Sequence, residues 1–147
     1  MKPLKVLMVV PNLRVANGVA SFAMNYYRSI DHAQVKMDFI SYKKIDTPYI
    51  DEIESNGDSV FYVTSVKNIF KHYRECKRII RAGQYDVIHD NSLLITLPLM
   101  LAGVRDVKYR ILHSHSTKLG EDNKREFRNR MLLPLLIATS NRYAACS

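Results

Sequence analysis

The chain has 147 residues, 47% of them hydrophobic and 24% charged, with a formal net charge of +8. That length is one ordinary domain able to bury a core without disulfides or a metal, and the composition excludes a disordered or fibrous chain. Cys76 and Cys146, the two cysteines, form no framework of short spacings, which points to a reduced, cytoplasmic protein.

A basic balance attracts nucleic acid, anionic lipid or phosphorylated small molecules, and net charge alone does not choose among them. The apolar run at residues 6–10 is too short for a signal-peptide core and no small-residue cleavage site follows it. The most apolar segment, 93–104, contains Pro98 and falls short of the roughly 20 residues a membrane span needs. Any meeting with a membrane is therefore expected at its surface.

Lys5-Val-Leu-Met-Val-Val10 reads as a strand buried on both faces. After a polar loop ending in Asn17-Gly18, the spacing of Val19, Phe22, Ala23, Tyr26 and Ile30 predicts an amphipathic helix from Gly18. Residues 35–41 read as a second strand. Thr47-Pro48 opens a short helix through Glu54, which Asn56-Gly57 closes. Residues 59–63 form a third strand. Val66, Ile69, Phe70, Tyr73, Cys76 and Ile80 then mark the buried stripe of a helix ending at Gly83.

A fourth strand at 85–89 breaks into Asp90-Asn91-Ser92, followed by an apolar helix over 93–102 that stops at Gly103. Residues 109–113 are the fifth strand. Beyond the loop 114–120, Glu121 and Asp122 suit a helix N-terminus, and the helix through Phe127 and Met131 is expected to kink or split at Pro134. Residues 142–147 read as a sixth strand. The alternation predicts a Rossmann-like α/β fold, a doubly wound parallel sheet.

In such a sheet, ligands bind at the C-terminal rim of the strands beside the point where strand order reverses. If the order is the Rossmann one, Asn17, Gly18, His89, Asn91, Ser92, His113 and His115 converge there. Gly18 opens a helix whose backbone N–H groups could hold a phosphate, and it reads equally as a turn glycine with positive φ. Dinucleotide and P-loop fingerprints are absent.

His113 and His115 are two apart, so on a strand they share a face. No third ligand in register is legible, so no metal is expected, and no Cys–His or Ser–His–Asp arrangement can be argued. An imidazole contacting a sugar hydroxyl or a phosphate stands beside a histidine that only caps the strand. His89 reads as structural. Lys67, Lys71, Arg74, Lys77, Arg78 and Arg81 form a cationic stripe opposite the buried face of their helix, either a solvated face or a surface for anionic lipid. Without stacking aromatics or a recognition helix, nucleic acid is not expected.

Taken in order, Lys5-Val-Leu-Met-Val-Val10, Asn17-Gly-Val-Ala-Ser-Phe22, Tyr85-Asp-Val-Ile-His-Asp-Asn-Ser92, Arg110-Ile-Leu-His-Ser-His-Ser116 and Tyr143-Ala-Ala-Cys-Ser147 resemble the N-terminal domain of glycosyltransferase family 4, nearest to its bacterial capsular and exopolysaccharide enzymes. The resemblance implies one half of a GT-B architecture, in which this Rossmann-like domain receives a glycan or lipid-linked acceptor. A second domain, expected beyond residue 147, would grip the nucleotide-sugar donor, which is a substrate, so no cofactor is implied. Transfer would retain anomeric configuration without a metal.

By the same resemblance Asn17 and Gly18 approach the donor phosphates, Asn91, Ser92 and Ser116 face the acceptor, and His115 sits by the transferring sugar. A one-step shift of alignment gives that place to His113. Two positions depart from the family pattern, Asn17 where Gly-Gly is usual and Asn91 where a second histidine often stands. The family's paired glutamates of the donor site have no counterpart here. The chain alone is therefore expected to fold without catalysing, and the whole protein to work at the cytoplasmic face of the membrane. The alternative is a nucleotide- or phospholigand-binding Rossmann module without catalysis.

Overall fold

The computed structural model describes residues 2–115 and 123–146. Six strands, β1 (Leu4–Val10), β2 (Val35–Ser41), β3 (Val60–Tyr62), β4 (Val87–Asp90), β5 (Tyr109–Ser114) and β6 (Arg142–Ala145), form one parallel sheet in the order β3-β2-β1-β4-β5-β6. This is the predicted Rossmann-like order, reversing between β1 and β4.

Helices α1 (Gly18–Ser29) and α2 (Pro48–Ser55) cover one face, and α3 (Ile69–Gly83), α4 (Leu97–Gly103) and α5 (Asn123–Thr139) cover the other. The pleat of β1 sends Val6, Met8 and Val10 into the first layer and Leu7 and Val9 into the second. That is why the run carries no polar alternation. Asn17 caps α1, its side chain accepting from the Ala20 N–H at 3.0 Å, and Thr47 caps α2 ahead of Pro48.

Three predicted features differ. The helix over 93–102 is split into a 3₁₀ turn, Leu93–Thr96, and α4, because Pro98 has no N–H to return a bond to the preceding turn. By contrast α5 runs unbroken through Pro134. Glu121 and Asp122 lie outside the described residues.

In α3 the buried stripe is His72, Cys76 and Ile80, whereas Ile69, Phe70 and Tyr73 are exposed. Ile69 and Tyr73 do share the face of Cys76 and Ile80, at helical spacing. At the start of α3 the buried side is occupied by His72, which leaves Ile69 and Tyr73 at its edge and Phe70 off it.

Gly83 ends α3 where a Cβ would fall 2.2 Å from the Tyr85 ring, and that ring is held by its hydroxyl donating to Asp38 at 2.6 Å. At Gly18 an added Cβ meets nothing within 4 Å. Gly83→Ala should therefore lower stability by about 1–3 kcal/mol, while Gly18→Ala stays within about 0.5 kcal/mol, read as urea midpoints at unchanged slope.

Candidate functional site

The strand ends place five side chains in one hydrogen-bonded series. β4 carries His89 with Asn91 just beyond it, β5 carries His113 with His115 just beyond it, and Cys146 follows β6. His89 Nε2 lies 3.0 Å from His113 Nδ1, and the Cys146 sulfur lies 3.4 Å from His113 Nε2 and 3.3 Å from His115 Nδ1. His115 Nε2 is 2.8 Å from Asn91 Oδ1.

The backbone fixes the direction of this series. The Asn91 side-chain amide donates to the Val9 and His89 carbonyls, each at 3.2 Å, so its oxygen must face His115. His115 therefore carries its proton on Nε2 and turns the Nδ1 lone pair toward the Cys146 thiol. An imidazole held in one tautomer by a carboxamide is an oriented acceptor.

Helix α1 closes over the cluster. Phe22 meets His113 and His115 edge-on, with centroids 5.0 and 4.9 Å away, and Tyr26 meets His89 edge-on at 6.3 Å. Burial lowers the pKa of all three histidines, and His89, with His113 and His115 beside it, falls to about 4. Neutral imidazoles at pH 7 can donate to or accept from a hydroxyl without adding charge to the crevice.

Beneath the cluster Asp90 is fully buried, and burial raises its carboxyl to about 7. It accepts from the Ser92 N–H at 2.8 Å and bonds the Thr96 hydroxyl, which also meets the Leu93 carbonyl. Leu93 between them has φ +52°, a left-handed backbone costly for a branched side chain. Asp90 thus holds the loop after β4 in a strained shape at the edge of the crevice.

Among the predicted residues, His89, Asn91, His113 and His115 come together. Gly18 stands exposed at the first turn of α1, about one turn from Phe22, without the positive φ that a turn glycine would need. The Asn17 side chain is occupied in capping. The Ser92 hydroxyl is buried with no hydrogen-bond partner among the described residues. Ser116 lies outside the described residues. Of the cationic stripe, Lys77 and Arg81 turn to Asp106, at 2.5 and 3.6 Å.

Sequence reasoning missed Cys146. The β5–β6 register pairs Ser114 with Ala145, so the residue after each strand stands level with the other. A third metal-type donor and a Cys–His contact therefore do exist, contrary to expectation. The His113 and His115 rings are nonetheless stacked, 4.2 Å apart and 22° from parallel, so their lone pairs run side by side. One ion could not lie in both ring planes without turning a ring. Phe22 and Tyr26 were also misplaced, as core residues; the core face of α1 is Ala20, Ala23, Met24 and Tyr27.

No family model matches the chain. Over 138 residues it is 30% identical to the "Putative glycosyltransferase EpsF" of Bacillus subtilis (strain 168), an alignment covering 88% of this chain and 35% of that protein. The chain is thus a homologue of that protein and spans about a third of its length. Among solved structures it is similar to MurG of Acinetobacter baumannii, with TM-score 0.67 and 10% identity over 99% of this chain and 41% of that one. A dTDP-glucose 4,6-dehydratase of Bacillus anthracis str. Ames, solved with NAD, follows at TM-score 0.60 and 11% identity over 92% of this chain and 51% of that one. Likeness at this identity defines the fold alone.

The depressed His89 pKa has a signed consequence. In the unfolded chain His89 takes a proton near 6.5, but in the fold only near 4, so its contribution is whole above about 6.5 and is lost as pH falls toward 4. Urea midpoints should drop across that window by the equivalent of roughly 3 kcal/mol, and His89→Asn should flatten this slope. Asp90 acts oppositely, its raised carboxyl favouring the fold below about 4 and losing that advantage toward 7, so the two variants Asp90→Asn and His89→Asn should tilt the profile in opposite directions.

Proposed function

We propose that the chain is the acceptor-side, N-terminal domain of a retaining GT-B glycosyltransferase of family 4. It would move a sugar from a nucleotide-sugar donor to a glycan or lipid-linked acceptor in surface-polysaccharide synthesis at the cytoplasmic membrane face. The observation that carries this reading is the oriented, neutral imidazole of His115 at the strand-order reversal of a glycosyltransferase homologue. The printed name of the relative supports the reaction class, and the five ordered motifs support the family.

In this reaction the bond from the anomeric carbon to the diphosphate oxygen breaks, and a bond to the acceptor oxygen forms on the same face. The acceptor proton leaves toward the departing diphosphate. The first N–H groups of α1, at Gly18 and Val19, lie beyond the Asn17 cap and open space surrounds Gly18, so they suit the diphosphate charge. His115, with His113 as the alternative at the same place, offers a neutral dipole to the sugar as positive charge develops. Asn91, bonded to His115, is a positioning residue more than an acceptor contact, and the Ser92 hydroxyl, buried and without a partner among the described residues, would meet an acceptor only where its loop opens. Ser116 keeps its proposed acceptor role.

His115→Ala in the whole protein should lower kcat by about 100-fold or more with donor KM little changed, in a fold that melts normally. Asn91→Ala should give a smaller loss of kcat, restored in part by Asn91→Asp, which keeps an oxygen toward Nε2. Turnover near normal in His115→Ala, with His113→Ala crippled, would pass the role to His113. Normal turnover in both would remove this site from the reaction.

A further inference from the structure

The expectation that Ile69, Phe70 and Tyr73 belong to the core fails in an informative way. Phe70 is 81% exposed, Ile69 54% and Tyr73 38%, all within the first turns of α3. On the other side of α4, α5 shows Phe127 at 70% and Met131 at 66%. Helices α3 and α5 each follow a strand of the parallel sheet, so both begin at its C-terminal rim, and both pack against α4 in one layer. Ile69, Phe70 and Tyr73 of α3 and Phe127 and Met131 of α5 thus lie at the rim end of that layer, while Leu101, Val104, Leu135 and Ile137, also exposed, are aliphatic and lie away from the rim. Scattered exposed apolar residues are ordinary, but aromatic ones gathered at one end of one layer are not.

Charge stands beside them. Asn68, Phe70, Lys71, Arg74, Glu75 and Arg78 line an open groove of about 600 Å³. Its one acid is occupied, because Glu75 accepts from the Thr64 N–H and hydroxyl, both at 2.7 Å, and these bonds hold its pKa below the usual value. Lys71, Arg74 and Arg78 therefore face the groove with no acid in ion-pair distance among the described residues. Lys67, just before the Asn68 cap of α3, is exposed too. Lys77 and Arg81 are spent on Asp106, and Lys77 also donates to the Ala102 carbonyl at 2.8 Å. No described helix is long and apolar enough to cross a membrane.

We propose that this rim is a docking surface for an anionic bilayer. Phe70, with Ile69 and Tyr73, enters the headgroup–acyl boundary, while Lys67, Lys71, Arg74 and Arg78 contact lipid phosphates. This narrows the cationic stripe to four residues, because Lys77 and Arg81 tie α3 to the segment after α4. Free phosphate would use the cations but gain nothing from an exposed phenyl ring, and a single-stranded nucleic acid could stack on Phe70 but would gain nothing from the aliphatic Ile69 beside it, so the mixed apolar set with the cations favours lipid. The proposal is independent of the sugar-transfer reaction and can be tested with no substrate present.

The test is cosedimentation of the protein with vesicles of phosphatidylcholine alone and of phosphatidylcholine with about one-third phosphatidylglycerol. Binding is expected only to the anionic vesicles, weakened about tenfold or more by Phe70→Asp and by the pair Lys71→Glu and Arg74→Glu, and within about twofold of normal for Arg81→Gln. The chain contains no tryptophan, so Phe70→Trp places a reporter whose emission should shift blue and be quenched by brominated lipid. Binding of Phe70→Asp equal to the parent, or no blue shift in bound Phe70→Trp, would overturn the proposal. So would an absence of vesicle binding with a doubled solution mass that Phe70→Asp halves, which would give the surface to a second copy of the chain.

Discussion

The crevice depends on a single carboxamide. Strand order reverses between β1 and β4, so the chains leaving these strands diverge, and something must hold the gap to a fixed width. Asn91 does so with both ends of its amide, donating to the Val9 carbonyl of β1 and the His89 carbonyl of β4 and accepting from His115 beyond β5. Its own backbone N–H adds a further bond to Val9 at 3.0 Å. The tautomer of His115, the approach of Cys146 and the stacking of the rings all follow from that orientation. A histidine at this position could not reproduce two donations and one acceptance from a single planar group.

The remainder of the site is arranged to keep imidazoles neutral. Phe22 and Tyr26 cover them from α1, and the β4, β5 and β6 backbones enclose them from below. Desolvation is the first cause of the lowered pKa at each histidine, and mutual repulsion adds to it at His89 and His115. The fold keeps a second titrating group, Asp90, whose burial works in the other direction and whose bonds hold Leu93 in a left-handed conformation. Rigid strands and a strained loop therefore meet at the same edge.

The architecture was legible because parallel strands buried on both faces announce themselves as unbroken apolar runs, and the helix starts carry Asn17, Thr47 and Pro48. The convergence of His89, Asn91, His113 and His115 was legible as soon as the strand order was assumed. Cys146 was not, since it lies 31 residues beyond His115 and meets it only through strand pairing. Nor was the exposure of Phe70: the buried stripe of α3 runs through His72, a polar residue that the apolar pattern skipped, and Phe70 lies two residues away on another face. The Lys77 and Arg81 contacts to Asp106 are likewise tertiary, invisible to the charge pattern of one helix.

A sheet whose strands all run one way has a head and a tail. At the tail lie Lys5, Gly83, Tyr85 and Asp38, joined by the Tyr85–Asp38 bond and by the Lys5 ammonium donating to the Gly83 carbonyl at 3.0 Å. None of these groups is left over for chemistry. The strained Leu93, the buried Ser92 hydroxyl and the exposed Phe70 stand at the head. The protein is therefore polarised much as a tool is, with a grip that tolerates little change in side-chain volume at Gly83 and Tyr85 and an edge whose loops can be rewritten while the grip stays as it is.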